Sequence, residues 1–150
     1  MKQRFEKTVA ILAKAYRERT LESGITCMCA VGNMVARAND YMFDPNRGWF
    51  NPKDHTSVPS YWYVLVDPSK VMPLTNEIKR EAIRQAQSTG YSVDEILRVE
   101  AVFEANYRAS EKAGSKDPAY DALVAVYELL ADIDQIDLSV EVPAELVFVR

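Results

Sequence analysis

Apolar residues recur at helical spacing near the start of the chain. Four of them lie three or four positions apart, namely Phe5, Val9, Leu12 and Tyr16. This spacing places them on one face of an α-helix, with charged residues on the opposite face. The pattern predicts an amphipathic helix over residues 3–22, which Gly24 ends.

Residues 25–38 form a second predicted helix, whose first twelve residues carry no charge. Its larger apolar side chains share one face, and the small residues Cys29, Gly32 and Ala36 share the other. A helix of this kind is typically buried, with another backbone packed against its small side. We therefore predict the central helix of the fold here, in which Asn33 must find hydrogen-bond partners and has a structural role.

The helical pattern stops at residue 39 and returns after residue 73. Five of the seven prolines fall in this stretch. Because proline removes a backbone donor and restricts the residue before it, no long helix is expected there. Residues 44–48 have turn chemistry. Residues 61–66 combine aromatic with β-branched side chains, which predicts a strand.

Three further helices are predicted, over residues 75–88, over residues 92–109 and from residue 117 onward. The middle one has the clearest start, because Ser92 and Glu95 have the spacing of a capping box. The last one begins at Asp117, with Pro118 in its first position.

Apolar residues alternate again near the end of the chain, over residues 138–142 and 146–149. They predict one or two short strands that pair with residues 61–66. The fold class is therefore α+β: a mostly helical single domain over residues 1–150, with about five helices around the buried helix at 25–38 and a two- or three-stranded sheet. Residues 39–73 form its proline- and aromatic-rich loop segment.

The charge of the chain is unevenly distributed around a net value of −4. Residues 1–20 hold six basic and two acidic groups, whereas residues 91–150 hold five basic and 13 acidic groups. An acidic chain without a basic cluster is not expected to bind duplex nucleic acid. No apolar run suits a bilayer or a signal peptide, so no membrane partner is expected. Two cysteines two positions apart do not form a secreted disulfide framework, which favours a cytoplasmic protein.

Few residues are available for metal or nucleophile chemistry. His55 is the only histidine, and Cys27 and Cys29 are the only cysteines. Zinc needs four ligands, and two cysteines at this spacing on a helix point apart, so we expect two structural thiols and no metal site. The acidic residues Asp132, Asp134 and Asp137 lack the glycine and glutamate of an EF-hand and are expected at a solvated helix end. Phosphate-binding glycine loops are absent too, so no cofactor is expected.

Glu100 stands within the apolar stripe of the helix predicted at 92–109. A carboxyl group in such a position is paired, lies at the edge of the core, or has its pKa adjusted for proton transfer. Pairing is the commoner case. With an adjusted pKa, Glu100 would be the acid or base of a small hydrolase or transferase. The lone His55 is the other candidate for that role.

Residues 41–63 are the strongest compositional anomaly, because they contain seven of the 15 aromatic residues, both tryptophans and the histidine. Aromatic rings with a few cations suit stacking on a ligand or a protein partner. An equally weighted interpretation is that Trp49 and Phe50 fill the core. The first interpretation defines seven candidate binding residues, namely Arg47, Trp49, Phe50, Lys53, His55, Tyr61 and Trp62. It also predicts that replacing Trp49 and Arg47 with alanine weakens binding and leaves the fold intact.

Two segments of the chain resemble parts of other small proteins. Cys29-Ala30-Val31-Gly32 followed by Asn33-Met34, together with residues 91–104, resembles small uncharacterised proteins of phages, mobile elements and bacteria. Those proteins pair a Cys-Ala-x-Gly helix with a later amphipathic helix that opens in a Ser/Thr-x-x-Glu box. The resemblance implies a phage or mobile-element origin and no particular activity.

The sequence thus predicts a small cytoplasmic binding protein without a cofactor. In its most specific form, this is a phage-type accessory protein that sequesters a small molecule or a host partner protein through the aromatic loop. Two alternatives stay open at this point: the hydrolase or transferase that uses Glu100 or His55, and a structural subunit of a larger assembly.

Overall fold

The structure is a computed structural model, which describes residues 2–25, 28–70 and 73–139. In these ranges the chain forms five α-helices, one antiparallel hairpin and two short 3₁₀ helices. The predicted α+β fold with a mostly helical domain is confirmed. The elements are α1 (Lys2–Arg17), α2 (Ala30–Ala38), β1 (Met42–Asp44), β2 (Gly48–Phe50), the 3₁₀ helices Tyr61–Leu65 and Pro68–Lys70, α3 (Asn76–Gln87), α4 (Val93–Lys112) and α5 (Pro118–Ile133).

The α2 helix lies at the centre of the helices, as its lack of charge predicts. Every residue from 30 to 36 is buried, and α2 packs against α1, α3 and α4. It begins at Ala30 rather than at residue 25. Cys29 is its N-cap, and the Cys29 Sγ accepts a hydrogen bond from the Gly32 amide at 3.3 Å. A polar side chain that satisfies the first amides of a helix fixes where the helix begins.

Asn33 joins the end of α1 to α2, and its structural role is confirmed. The side chain is fully buried. Its Nδ2 donates to the carbonyl oxygens of Thr20 at 2.7 Å and Cys29 at 3.1 Å. Its Oδ1 accepts from Thr20 Oγ1 at 3.0 Å and from Arg37 Nε at 3.3 Å. Both ends of the amide are therefore satisfied inside the core, as a buried polar group requires.

The strand predicted at residues 61–66 is wrong, because the segment forms the 3₁₀ helix Tyr61–Leu65. The backbone groups find partners without a neighbouring strand. The buried Gln85 side chain accepts from the Trp62 amide at 3.0 Å and donates to the Pro59 carbonyl at 2.9 Å. The Val66 amide closes the helix on Tyr63 at 2.9 Å. The expected partner strands at 138–149 fall almost entirely outside the described residues, and the described positions 138 and 139 form a turn.

The small sheet instead lies within the proline-rich segment. The strands β1 and β2 pair antiparallel, with Phe43 opposite Trp49 and Asp44 opposite Gly48. The turn between them is the one predicted from residues 44–48. Asp44 Oδ1 accepts from the Asn46 amide at 2.7 Å, and Gly48 supplies the positive φ of 77° that a three-residue hairpin loop needs.

The helix starts in the second half of the chain are confirmed. The Ser92 and Glu95 capping box is present in full, and Asp117 caps α5 through the Tyr120 amide. The α4 helix runs three residues beyond its predicted end, to Lys112. It packs along α5, which also contacts α1. None of the helices in the described part of the chain is both long and apolar enough to cross a membrane.

An ion pair between a half-buried arginine and a buried carboxylate ties the two ends of this helical domain together. The carboxylate of Asp134 follows α5, and its side chain is fully buried. The expectation of a solvated helix end is therefore wrong for Asp134, whereas Asp132 and Asp137 are exposed as expected. The Asp134 carboxylate accepts from Arg4 Nε of α1 at 2.7 Å and from the Tyr91 hydroxyl at 2.7 Å. The Arg4 guanidinium lies 4.3 Å from the centre of the Tyr91 ring and donates to the Gly90 carbonyl.

Replacing Arg4 with methionine tests how far the fold depends on this pair. Loss of the guanidinium leaves the Asp134 charge buried without its cation, so we expect the free energy of unfolding to fall by about 3 kcal/mol. Urea denaturation followed by circular dichroism measures the change. The matched control is Lys7→Met at an exposed position of the same helix. An equal loss in both variants would show that the ion pair is not the cause.

Candidate functional site

The structure separates the seven residues predicted for the aromatic loop instead of gathering them on one surface. Trp49 and Trp62 are buried, with 4% and 1% of their surface exposed. Phe50 and Tyr61 are half-buried, and only the three basic residues are exposed, namely Arg47, Lys53 and His55. The core interpretation is therefore correct for Trp49, and it applies to Phe50 only in part.

Trp49 packs inward from β2 onto neighbours of the hairpin and α2. Its ring meets Phe43 edge to face, with 5.2 Å between the ring centres. The Arg37 guanidinium lies 5.4 Å from the centre of the Trp49 ring. The ring is part of the packed interior, so its replacement is expected to cost stability as well as any contact with a ligand.

Two of the three exposed basic residues, Arg47 and His55, contact the loop itself. Arg47 lies 4.8 Å from the centre of the Phe50 ring and donates a hydrogen bond to the His55 carbonyl. The His55 imidazole stacks on the same Phe50 ring, 6.2 Å away between centres. These three side chains form a small cluster at the tip of the hairpin that contains no acid.

A cleft of about 400 Å³ lies elsewhere, between α4, the 3₁₀ helix Tyr61–Leu65 and the segment after α1. We call it the Glu100 cleft. One face of α4 forms one side of it, and the lining residues of that face are Leu97, Glu100, Ala101, Glu104 and Arg108. The remaining lining residues are Tyr63, Leu65 and Val66 together with Gly24 and Ile25. A concave surface with apolar walls and a few convergent polar groups is typical of small-molecule sites.

Glu100 is the buried acid of this cleft. Only 6% of the residue is exposed, yet its Oε2 has no hydrogen-bond partner among the described residues. Buried polar atoms are nearly always satisfied, because an unmet one costs about 1–3 kcal/mol. Glu100 is therefore the lining residue of the cleft whose hydrogen bonding is incomplete among the described residues.

The surroundings of Glu100 favour its protonated form and raise its pKa to about 7. Burial, which disfavours the charged carboxylate, is the largest cause. A hydrogen bond from the Cys29 thiol lowers the pKa, whereas Glu104, one helical turn further along, raises it. The negative charge of Glu104 repels the charged form of Glu100, and only protonated Glu100 can donate a hydrogen bond to Glu104. Both effects raise the pKa of Glu100. Arg108 opposes this through its positive charge.

Cys29 is a hydrogen-bonding group here, and its surroundings disfavour the thiolate form. Burial raises the pKa of the Cys29 thiol well above its ordinary value, and the charge of Glu100 raises it further. A reactive cysteine needs a lowered pKa, because the thiolate is the nucleophile. The expectation of a structural thiol is confirmed for Cys29, while Cys27 lies outside the described residues.

Glu104 differs from Glu100 in that its charge is fully used. It accepts hydrogen bonds from the Ser23 hydroxyl and, at 3.2 Å, from the Gly24 amide. The Arg108 guanidinium lies 3.6 Å away. Glu104 therefore anchors the segment after α1 to α4, and that anchor holds one end of the Glu100 cleft in place.

A second groove, of about 590 Å³, lies between α1, the end of α2 and the hairpin. Two of the three basic residues that line it, Lys14 and Arg37, pair with an acid within it. Arg37 pairs with Glu18 at 2.6 Å and donates to Thr20, and Lys14 lies 3.8 Å from the same glutamate. None of the buried side-chain polar atoms that the structure leaves unsatisfied lies in this groove. The candidate site is accordingly the Glu100 cleft.

Sequence reasoning singled out Glu100 and missed the residues around it. The signal was a carboxyl group in an apolar helical stripe, and the same four-residue spacing could have drawn attention to Glu104. Nothing along the chain indicates that Tyr63 comes to face this acid. No group of three or more metal-binding side chains is found in residues 2–25, 28–70 and 73–139.

Comparison of the chain with protein-family models, with curated proteins and with solved structures finds no match. The functional assignment consequently rests on the geometry and chemistry of the Glu100 cleft.

Replacing Trp49 with alanine tests its place in the core. We expect the free energy of unfolding to fall by about 3 kcal/mol, because a large buried ring leaves a cavity that the surroundings fill only in part. Thermal and urea denaturation measure the loss. Lys53→Ala, at an exposed position of the same segment, serves as the control and should change stability by less than about 0.5 kcal/mol.

Glu100 predicts a specific dependence of stability on pH. The folded protein binds this proton more tightly than the unfolded chain, in which glutamate titrates near pH 4.3. The stabilising contribution is therefore complete below about pH 4.3 and is lost as the pH rises through about 7. Glu100→Gln removes the titration, so the variant should exceed the natural protein by about 3 kcal/mol above about pH 8 and match it near pH 4.

Urea denaturation across this pH range measures the difference between the two proteins. Glu111→Gln, at an exposed position on the same helix, is the control and should follow the natural protein. A Glu100→Gln curve parallel to that of the natural protein would contradict the burial of an ionisable carboxyl group in the cleft.

Proposed function

We propose that this protein binds a small molecule and that the ligand occupies the Glu100 cleft. The observation that carries the proposal is the Glu100 carboxyl group, which lines the cleft and whose buried Oε2 lacks a hydrogen-bond partner among the described residues. A ligand in the cleft that donates a hydrogen bond to this carboxyl group removes the cost of leaving it unmet. That cost is about 1–3 kcal/mol and becomes part of the binding energy.

The dimensions and walls of the cleft support the proposal. Its volume of about 400 Å³ lies within the range of pockets that hold small ligands, about 300–1,000 Å³. Ile25 and Val66 belong to its lining and have 40% and 41% of their surface exposed. A ligand body that covers these side chains gains the hydrophobic free energy of their burial.

This proposal keeps the binding function predicted from the sequence and moves the site. The seven loop residues give way to the cleft, because both tryptophans pack in the core. Tyr63, their neighbour in the chain, is the aromatic residue of the loop segment that lines the cleft. In its specific form, the protein is a cytoplasmic, phage-type accessory protein that sequesters its ligand, and the Cys-Ala-x-Gly resemblance supports that setting.

An acid–base enzyme is the second candidate, and one observation favours it. A pKa of about 7 for Glu100 suits a group that both takes and gives a proton at neutral pH. The raised pKa of Cys29 disfavours a thiolate nucleophile, so the reaction that this candidate assigns to the cleft is proton transfer by Glu100. Turnover of a bound compound that stops in Glu100→Gln separates this candidate from simple binding.

Blocking the cleft tests the proposed function. Ala101 is exposed and lines the cleft, so Ala101→Trp fills it with a ring and leaves the core untouched. Ala109→Trp adds the same ring at an exposed position of α4 outside the cleft. In a ligand-observed NMR screen of small fragments, we expect hits that bind the natural protein and Ala109→Trp but lose at least about tenfold in affinity, or 1.4 kcal/mol, with Ala101→Trp.

A screen without hits, or hits that bind all three proteins equally, would contradict a ligand site in the cleft. A native mass spectrum of gently purified protein is a second test for a small molecule bound in the cleft. A retained mass that is present in the control variant and missing from Ala101→Trp identifies the natural ligand by its mass.

A further inference from the structure

We infer that the ligand of the Glu100 cleft is an organic cation, a primary ammonium or guanidinium group carried on a small apolar or aromatic body. The inference rests on the proposed function and adds the chemical class of the ligand. It follows from the charges that face the cleft and from the kind of hydrogen-bonding group that Glu100 leaves unsatisfied.

The charges around the cleft do not balance. Among the described residues that line it, the charged side chains are Glu100, Glu104 and Arg108. Arg108 lies 3.6 Å from the Glu104 carboxylate and pairs with it. Glu100 is left without a cation of its own. A neutral ligand would leave this charge uncompensated and an anion would add to it, whereas a cation neutralises it.

The groups that face Glu100 from the other elements are neutral. From the N-cap of α2 comes the Cys29 thiol, which burial keeps protonated by raising its pKa. From the 3₁₀ helix comes Tyr63, whose pKa is raised by burial and by the charge of Glu100, so the phenol keeps its proton. The segment after α1 contributes Gly24 and Ile25, which carry no charge.

The hydrogen bonds that an ionised Glu100 can form also favour a cationic ligand. An ionised carboxylate only accepts, and an ammonium or guanidinium group only donates. Hydrogen bonds between such ions are about twice as strong as neutral ones, and weak screening inside the cleft strengthens them. The walls suit the rest of the ligand, since Leu65 and Leu97 are apolar and Tyr63 adds an aromatic ring of the kind that attracts cations.

Binding of a cation is then coupled to a proton. The cation needs the ionised form of Glu100, so binding to the protonated form releases that proton to solvent while the carboxylate and the cation pair. Because the pKa of Glu100 is about 7, affinity should be constant above about pH 8 and should weaken by up to about tenfold per unit as the pH falls below 7.

A matched set of probes tests the class of ligand. The ammonium probes are benzylamine, 2-phenylethylamine and tryptamine. Their counterparts are the neutral 2-phenylethanol and the anionic 3-phenylpropionate, which have the body of 2-phenylethylamine. At about pH 8 we expect at least one ammonium probe to bind, and 2-phenylethylamine to bind the natural protein at least about tenfold more tightly than the alcohol. We expect the anion to bind more weakly than the alcohol.

Glu100→Gln assigns the preference to Glu100, and two tryptophan variants assign the binding to the cleft. In Glu100→Gln the ammonium preference should fall below about threefold, because the amide carries no charge. Ala101→Trp should weaken binding of the ammonium probe, and Ala109→Trp should not. Calorimetry near pH 7 in HEPES and in phosphate should report about half a proton released per amine bound, and none for Glu100→Gln. A role of Glu100 in folding alone would not produce this release.

The outcomes separate the class of ligand from the proposed function. If the alcohol or the carboxylate binds as tightly as the amine, and Ala101→Trp blocks both, the cleft is a ligand site and the inference of a cation is overturned. If none of the amines binds, the inference is likewise overturned, and the fragment screen decides on the proposed function by itself. An ammonium preference retained in Glu100→Gln, or no proton release, also overturns it.

Discussion

The burial of α2 is the constraint on which the rest of the structure depends. A helix can lie at the centre of a domain only if the polar groups that it carries inside are satisfied. The Asn33 side chain meets this condition through hydrogen bonds to Thr20, which follows α1. Cys29 satisfies the Gly32 amide in the first turn of α2. Because α2 packs against α4, its capping thiol also reaches Glu100, and a structural requirement thereby becomes part of the site.

The site itself arises from an asymmetry between two acids on one helix. Glu104 binds a hydroxyl, an amide and an arginine, and in doing so it fixes the segment after α1. Glu100, four residues earlier, faces a thiol and a neighbouring negative charge, and one of its oxygens meets no donor in the described structure. Glu104 thus completes the wall of the cleft, and Glu100 is the lining acid whose pKa is shifted toward neutral pH.

Features that depend on interactions within a few residues were predicted correctly, whereas features that depend on residues distant in the chain were not. The caps at Ser92 and Asp117 and the turn before Gly48 were predictable, because each is decided within a few residues. Residues 61–66 have the composition of a strand, yet Tyr61–Leu65 is a 3₁₀ helix. Gln85, more than twenty positions away, accepts from its Trp62 amide and donates to the carbonyl of the preceding Pro59. Asp134 was expected in solvent and is buried because Arg4 lies beside it.

By itself the sequence determined the helical α+β class, the central place of the charge-free segment and the anomaly of an acid in an apolar stripe. These are properties of local periodicity, which a chain carries in any context. Only the tertiary structure decided that Trp49 turns inward, that Tyr63 comes to face Glu100 and that this acid borders a cleft. Such facts depend on contacts between segments distant in the chain, and packing selects among faces that periodicity leaves equivalent.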